Sequence, residues 1–180
     1  MKSYLILILL LMFLPAGCKK NDTPRLSGTD TIDNTLFGNG PYYALGFSFS
    51  QAKKISTLND PEPDITLVAV QNIDGSISKT TLQTNNLKNS YYKFGEYADA
   101  ISSKQAFDNL KSAVVTLARW KEESDTIRIN QVWIFRTGTE HYAKFRILNS
   151  VSEQRSGKPY AECKFEWVYQ PDGSITFPGK

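Results

Sequence analysis

Histidine, cysteine and methionine are almost absent from this 180-residue chain, which has one His, two Cys and two Met. Any Ser-His-Asp or Cys-His nucleophile system would have to use His141, and no G-x-S-x-G elbow, HExxH zinc motif or G-x-x-x-x-G-K-[ST] loop accompanies it. The chain is therefore expected not to be an enzyme. An excess of one charge is also missing: 21 Lys and Arg stand against 18 Asp and Glu, for a formal charge of +3, and they are interspersed. A nucleic-acid partner, which needs a concentrated basic face, is not expected. Only one long apolar run exists, residues 4–14 (YLILILLLMFL). At ~1.5 Å per residue such a helix covers only ~16 Å, about half of a ~30 Å hydrocarbon core, which is too short to span.

What is present begins with that run. Lys2 precedes it, and Pro15-Ala16-Gly17-Cys18 follows it. A cation, a short apolar centre and small residues at the end form the signal-peptide pattern. Here the small residues lead directly into a cysteine, as in the lipobox of bacterial lipoproteins, with Pro15 where that motif usually carries an aliphatic residue. Residues 1–17 are thus expected to be a signal peptide and Cys18 the lipidated first residue of the mature chain. Each buried methylene contributes ~0.8 kcal/mol, and a stable anchor needs about two acyl chains. Loss of Lys2 leaves 20 cations against 18 acids. A thioether at Cys18 also leaves Cys163 with no intramolecular partner, so no structural disulfide is expected. Residues 18–40 are polar, rich in Gly, Thr, Asn and Asp, and read as a lipidated flexible tether. Lys19, Lys20 and Arg25 suit either anionic headgroups or plain solvation.

Residues 41–180 read as a single domain, mainly β (α+β by content), with antiparallel sheet and one short helix. Residues 42–50 (YYALGFSFS) suit a strand in which Gly46 marks a bulge or a close approach. Asp60-Pro61-Glu62-Pro63-Asp64 is a stiff connection. Residues 65–72 and 77–82, joined at Asp74-Gly75, spell a hairpin whose Gly supplies a positive φ. Ser102 and Gln105 form a candidate capping box, with Phe107, Leu110 and Val114 on one helical face and an end near Ala113.

The last third alternates most clearly. Residues 127–136 contain Val132-Trp133-Ile134-Phe135, apolar on both faces, and Thr137-Gly138-Thr139 turns the chain. In residues 141–148, His141, Ala143, Phe145 and Ile147 share one face, with Lys144 and Arg146 on the other. In residues 160–169, Ala161, Cys163, Phe165, Trp167 and Tyr169 oppose Glu162, Lys164 and Glu166. Two such strands suit an antiparallel sheet with one face in water, and their complementary charges favour pairing by a few tenths of a kcal/mol per contact. Gln170-Pro171-Asp172-Gly173 is a further turn, before a last short strand at 174–177.

Candidate sites are sparse. Asp60, Glu62 and Asp64 alternate like the start of a calcium loop, but Ile65 stands where its glycine belongs and Gln71 where its bidentate Glu belongs, so a rigid turn is the better reading. A paired-carboxylate hydrolase is a matter of spatial separation that sequence does not decide. The aromatic residues Tyr42, Tyr43, Phe47, Phe49, Trp133 and Tyr142 are candidates either for a ligand pocket or for core packing, and Cys163, in register with Phe165 and Trp167, for a small core residue.

Taken together, the lipoprotein signal, the F-S-F-S strand at residues 47–50, V-W-I-F-R-T turning into H-Y-A-K-F-R-I-L (residues 141–148) and the closing F-E-W-V-Y-Q-P-D-G (residues 165–173) resemble the HmuY-like family of envelope lipoproteins from Bacteroidota. The resemblance implies a β-rich domain displayed at the outer membrane that captures haem and passes it to a TonB-dependent receptor. The family's haem binders supply a pair of His or a pair of Met to the iron, and this chain lacks both sets: His141 stands alone, and Met1 and Met12 leave with the signal peptide. The fold and the address carry over. Haem or another apolar or aromatic ligand remains the expected cargo, with His141, Tyr142 and Trp133 as candidate contacts. The alternative is an accessory envelope protein acting by protein contact with no small ligand.

Overall fold

The computed structural model describes residues 23–40, 43–86, 88–113, 115 and 117–178. The expected signal peptide, Cys18, Tyr42 and Val114 lie outside them.

The protein is mostly β, with antiparallel sheets and a single short helix, as expected. A five-stranded sheet is built from β1 (Ser27–Asp33), β6 (Tyr91–Glu96), β7 (Gln131–Arg136), β8 (Tyr142–Arg155) and β9 (Lys158–Gln170), in the order β1-β9-β8-β7-β6. Two hairpins, β2 (Leu45–Ser48) with β3 (Lys53–Ser56) and β4 (Thr66–Gln71) with β5 (Ile77–Gln83), pack on one face. The helix α1 (Ala100–Asn109) and the C-terminal segment cover the other.

The first correction concerns the tether. Residues 27–33 are not free chain but an edge strand, pairing from Ser27 opposite Val168 to Asp33 opposite Glu162, with Ile32 fully buried. A strand that contributes one buried side chain and is otherwise polar has no apolar alternation to betray it.

The apolar alternation of the last third builds the core. Trp133, Phe135, Phe145, Phe165 and Trp167 are fully buried with Phe47 and Phe49 of the β2 segment between the layers, where the rings meet edge-on or tilted. The 65–82 hairpin forms as expected, with Gly75 at φ +82. Gly46 is indeed a close approach: a Cβ there would stand 2.5 Å from the Ile65 carbonyl oxygen.

Only part of the charged face of β8 and β9 is in water, where Lys164 is exposed and Glu162 half-buried. Lys144, Arg146 and Glu166 are all buried under α1. The charges are complementary as read, since Arg146 lies opposite Glu166 in register and its Nε sits 2.5 Å from Oε1. Lys144 instead donates to the carbonyls of Phe107 and Leu110 at 2.7 and 2.9 Å, satisfying orphan acceptors at the helix C-terminus.

Two smaller expectations shift. The helix starts at Ala100 and not at a Ser102 cap, because Asp99 accepts from both the N–H and the hydroxyl of Ser102. It ends at Asn109, where Leu110 leaves helical geometry with ψ 82. The last strand at 174–177 is reduced to a single bridge between Ser112 and Thr176, with Phe177 buried.

Candidate functional site

The long strands give the domain two poles. The chain enters the sheet at Ser27, next to the end of β9, and the turn leading into Tyr142 stands at this same proximal pole. The β8–β9 turn, Ser156-Gly157 with φ 51 and 74, marks the distal pole. β8 has 14 residues, which at ~3.3 Å each separates the poles by on the order of 45 Å.

A groove of about 990 Å³ opens toward the distal pole, at the upper end of the range usual for small-ligand sites. Thr66, Leu67, Val68 and Ala69 of β4 line it, faced by Leu36, Ala44 and Leu58 and by Pro159 and Tyr160. Asn34 holds these parts together: its side chain donates to the Pro159 carbonyl at 3.0 Å and accepts from the Ala161 N–H at 2.8 Å. Glu62 lies near the Thr66 end. Arg155 and Lys158 lie near the other, where Gln154 reaches the carbonyl of Gly75 in the β4–β5 turn. The Arg155 guanidinium stacks 3.3 Å from the Tyr160 ring centroid and pairs with Glu153, which holds it more basic than usual. Burial, and then the neighbouring Glu162 carboxylate that accepts its hydroxyl at 2.9 Å, push the Tyr160 phenol upward.

The rim is apolar. Leu36 and Leu58, both exposed, line the groove, and beside them the exposed Phe37 and Tyr43 rings meet edge-on, with Tyr43 against Gly38 of the groove lining. Isolated exposed hydrophobics are ordinary, whereas a contiguous group marks a contact surface.

The residues singled out from sequence do not meet there. Trp133 is fully buried, stacked on Phe145, and donates its indole N–H to Gln131. His141 sits at the proximal pole with Nδ1 3.1 Å from Tyr169 Oη and 3.2 Å from Thr139 Oγ1, the hydrogen-bonded structural histidine that its place predicts. Tyr142 faces the helix side, next to Trp120. Phe47 and Phe49 belong to the core, and Tyr43 alone of the described aromatic candidates reaches the groove's rim. Cys163 is buried, and desolvation pushes its thiol up to about 12, so it is inert in the folded chain.

The acidic alternation resolves into separate roles. Asp60 and Glu62 are exposed, while Asp64 turns inward and accepts the Phe49 N–H at 2.7 Å. Burial lifts the Asp64 carboxyl to about 6 despite that bond and one from Ser48. Among the described residues no group of three or more His, Cys, Asp or Glu could hold a metal ion.

No family model and no curated protein matches this chain.

Leu36, Leu58, Val68, Arg155 and Lys158 were not singled out by sequence. Leu36 falls in the segment read as tether, and the others become neighbours only through the packing of the β4–β5 hairpin on β9. A groove assembled from six separate stretches of chain leaves no local spacing signal. The nearest to one is the string of exposed apolar residues in otherwise polar connections.

Proposed function

We propose that the protein is an envelope-anchored lipoprotein whose single β-rich domain captures an apolar or aromatic ligand without catalysis, as part of a TonB-dependent uptake system at the outer membrane. The observation that carries the reading is the apolar-rimmed groove, which opens toward the pole opposite Ser27, where the chain enters the sheet. Eight residues lie between Cys18 and Ser27, a reach of at most ~30 Å. A lipid at Cys18 therefore keeps the proximal pole close to the bilayer and turns the groove outward. The sequence resemblance to HmuY-like lipoproteins supports the same address and the same kind of task.

Haem-iron coordination does not fit the residues present. The groove is lined by no His, Cys or Met, the Tyr160 hydroxyl is engaged with Glu162, and His141 stands at the other pole. A ligand is held by its apolar surface and by polar groups at its ends.

The test is a titration of the mature chain with haemin, iron-free protoporphyrin and 8-anilinonaphthalene-1-sulfonate. Saturable binding of at least one probe, lost in Val68→Trp, which fills the groove, is the expected result. Absence of saturable binding to all three at micromolar concentration would remove the capture reading. Protein contact without a small ligand would then account best for the exposed rim.

A further inference from the structure

Among the described residues one edge of β4 has no partner strand. Phe47 and Ile65 exchange N–H···O bonds of 2.8 and 3.2 Å, which directs the backbone polar groups of Ile65 toward β2. Because these groups alternate along a strand, those of Leu67 and Ala69 point the same way, while Thr66 and Val68 face β5. β2 and β4 part after that single bridge, and no backbone or side-chain hydrogen bond engages Leu67 or Ala69 on this side among the described residues. The gap is the groove. Consecutive residues 66–69 all line it, so its wall is the strand's edge and not one of its faces.

Although Leu67 is buried and Ala69 half-buried, nothing in the sequence of β4 blunts this edge. Exposed edges are usually blunted by charge, proline or a covering segment. β4 reads Thr-Leu-Val-Ala-Val-Gln, with neither charge nor proline, and its only register shift comes after Val70. By contrast the far edge of β5 is covered, since Ser124 and Leu82 exchange bonds and the Ile127 N–H donates to the Thr80 carbonyl. The two ends of the open edge differ in charge, with Glu62 before β4 and the Lys158 ammonium beyond it.

We propose that β4 is a strand-addition site: an extended polypeptide segment of a partner protein lies in the groove and pairs with the outward N–H and C=O groups of Leu67 and Ala69. Its alternate apolar side chains meet the Leu36 and Leu58 rim, and an acidic residue lies at the Lys158 end. Backbone pairing supplies affinity and the rim supplies selectivity, the usual division in recognition by an added strand. This rests on the reading of the groove as the binding site and gives it a polypeptide strand in place of a small ligand.

The test is selection of a phage-displayed random heptapeptide library against the ¹⁵N-labelled mature chain in detergent micelles. Enriched peptides are expected to alternate β-branched and polar residues, to carry Asp or Glu at one end, and to slow amide exchange at Leu67 and Ala69 at least tenfold. N-methylation of the peptide at alternate positions should weaken binding more than tenfold. Ala69→Pro, which deletes a groove-facing N–H and leaves the bonds to β5, should do the same; if that variant does not fold, the methylated peptides carry the test alone. Enriched peptides that leave both amides unprotected, or that tolerate methylation, overturn the proposal. So does protection that rises with protein concentration without peptide, which would make the occupant a second copy of the chain. If no peptide is enriched while haemin, protoporphyrin or 8-anilinonaphthalene-1-sulfonate still binds, the strand site falls and the capture reading stands; if no peptide is enriched and none of the three probes binds, both fall.

Discussion

Arg146 and Glu166 face each other across β8 and β9, with Nε 2.5 Å from Oε1, and each side chain is less than a tenth exposed. Arg146 also donates to the Ala100 carbonyl and the Ser103 hydroxyl, so one guanidinium ties the sheet to the first turn of α1. Glu166→Ala leaves that cation buried without its carboxylate. It should cost about 3–5 kcal/mol in urea unfolding, whereas Arg146→Met with Glu166→Leu should recover most of the loss, because apolar residues of similar volume replace such a pair at little cost. A double variant as unstable as Glu166→Ala would mean that Arg146's bonds to the helix, and not the buried charge, set the penalty.

This pair also shows what sequence patterning does and does not reveal. The alternation in residues 141–148 and 160–169 is enough to assign the strands, their pairing and the sign of the cross-strand contact. It gives no sign that α1 would cover the charged face, because a charge satisfied by a partner and by helix carbonyls is written with the same letters as one satisfied by water. Ser156-Gly157 turns the chain between β8 and β9 as sharply as any glycine turn here, but it sits in a polar stretch with no apolar alternation to frame it. β1 escaped for a related reason, having Ile32 as its one buried side chain. The groove was less legible still, since its rim and its open edge depend on where β2 and β4 diverge.

Asp64 should impose a pH dependence opposite to that of most carboxylates. Its folded-state value of about 6 lies above the ordinary 3.8, so between these values the folded chain binds more protons than the unfolded one. Its contribution to stability is therefore full below about pH 4 and is lost as pH rises through about 6. Asp64→Asn keeps an oxygen to accept the Phe49 N–H and removes the titration. Relative to the parent, this variant should gain about 1–3 kcal/mol between pH 4 and pH 7, read from urea midpoints. Parallel pH profiles for the two chains would refute the assignment.

Gly46 admits no side chain. A Cβ would stand 2.5 Å from the Ile65 carbonyl and 2.6 Å from the Pro63 Cβ, and the carbonyl is backbone held by Phe47. Gly46→Ala should destabilise by about 1–3 kcal/mol, the usual range for overpacking. By forcing β2 and β4 apart at their only bridge, it should also speed amide exchange at Phe47. An unchanged thermal midpoint would show that the two strands separate freely.

Cys163 should resist alkylation. It is fully buried, with its thiol pushed up to about 12 by desolvation, so almost no thiolate exists at neutral pH. Iodoacetamide should label it only as fast as the domain opens, and the labelling rate should rise steeply across the urea unfolding transition. Fast labelling in native buffer would show that the β1–β9 side of the sheet opens locally.

His141 and the groove lie at opposite poles, which separates the two roles that sequence left joined. His141→Ala removes the contact with Tyr169 Oη at 3.1 Å and should cost about 0.5–1.5 kcal/mol, the net worth of one hydrogen bond. Because Tyr169 keeps its place in the core cluster, the Arg155 and Lys158 end of the groove, at the far end of β8, should not change shape. Binding of 8-anilinonaphthalene-1-sulfonate by His141→Ala should therefore stay within a factor of about two of the parent, while Leu58→Asp, which places a charge on the apolar rim, should weaken it at least about tenfold, a loss of ~1.4 kcal/mol. The reverse pattern, loss with His141→Ala and none with Leu58→Asp, would move the binding site to the proximal pole, where His141 meets Tyr169.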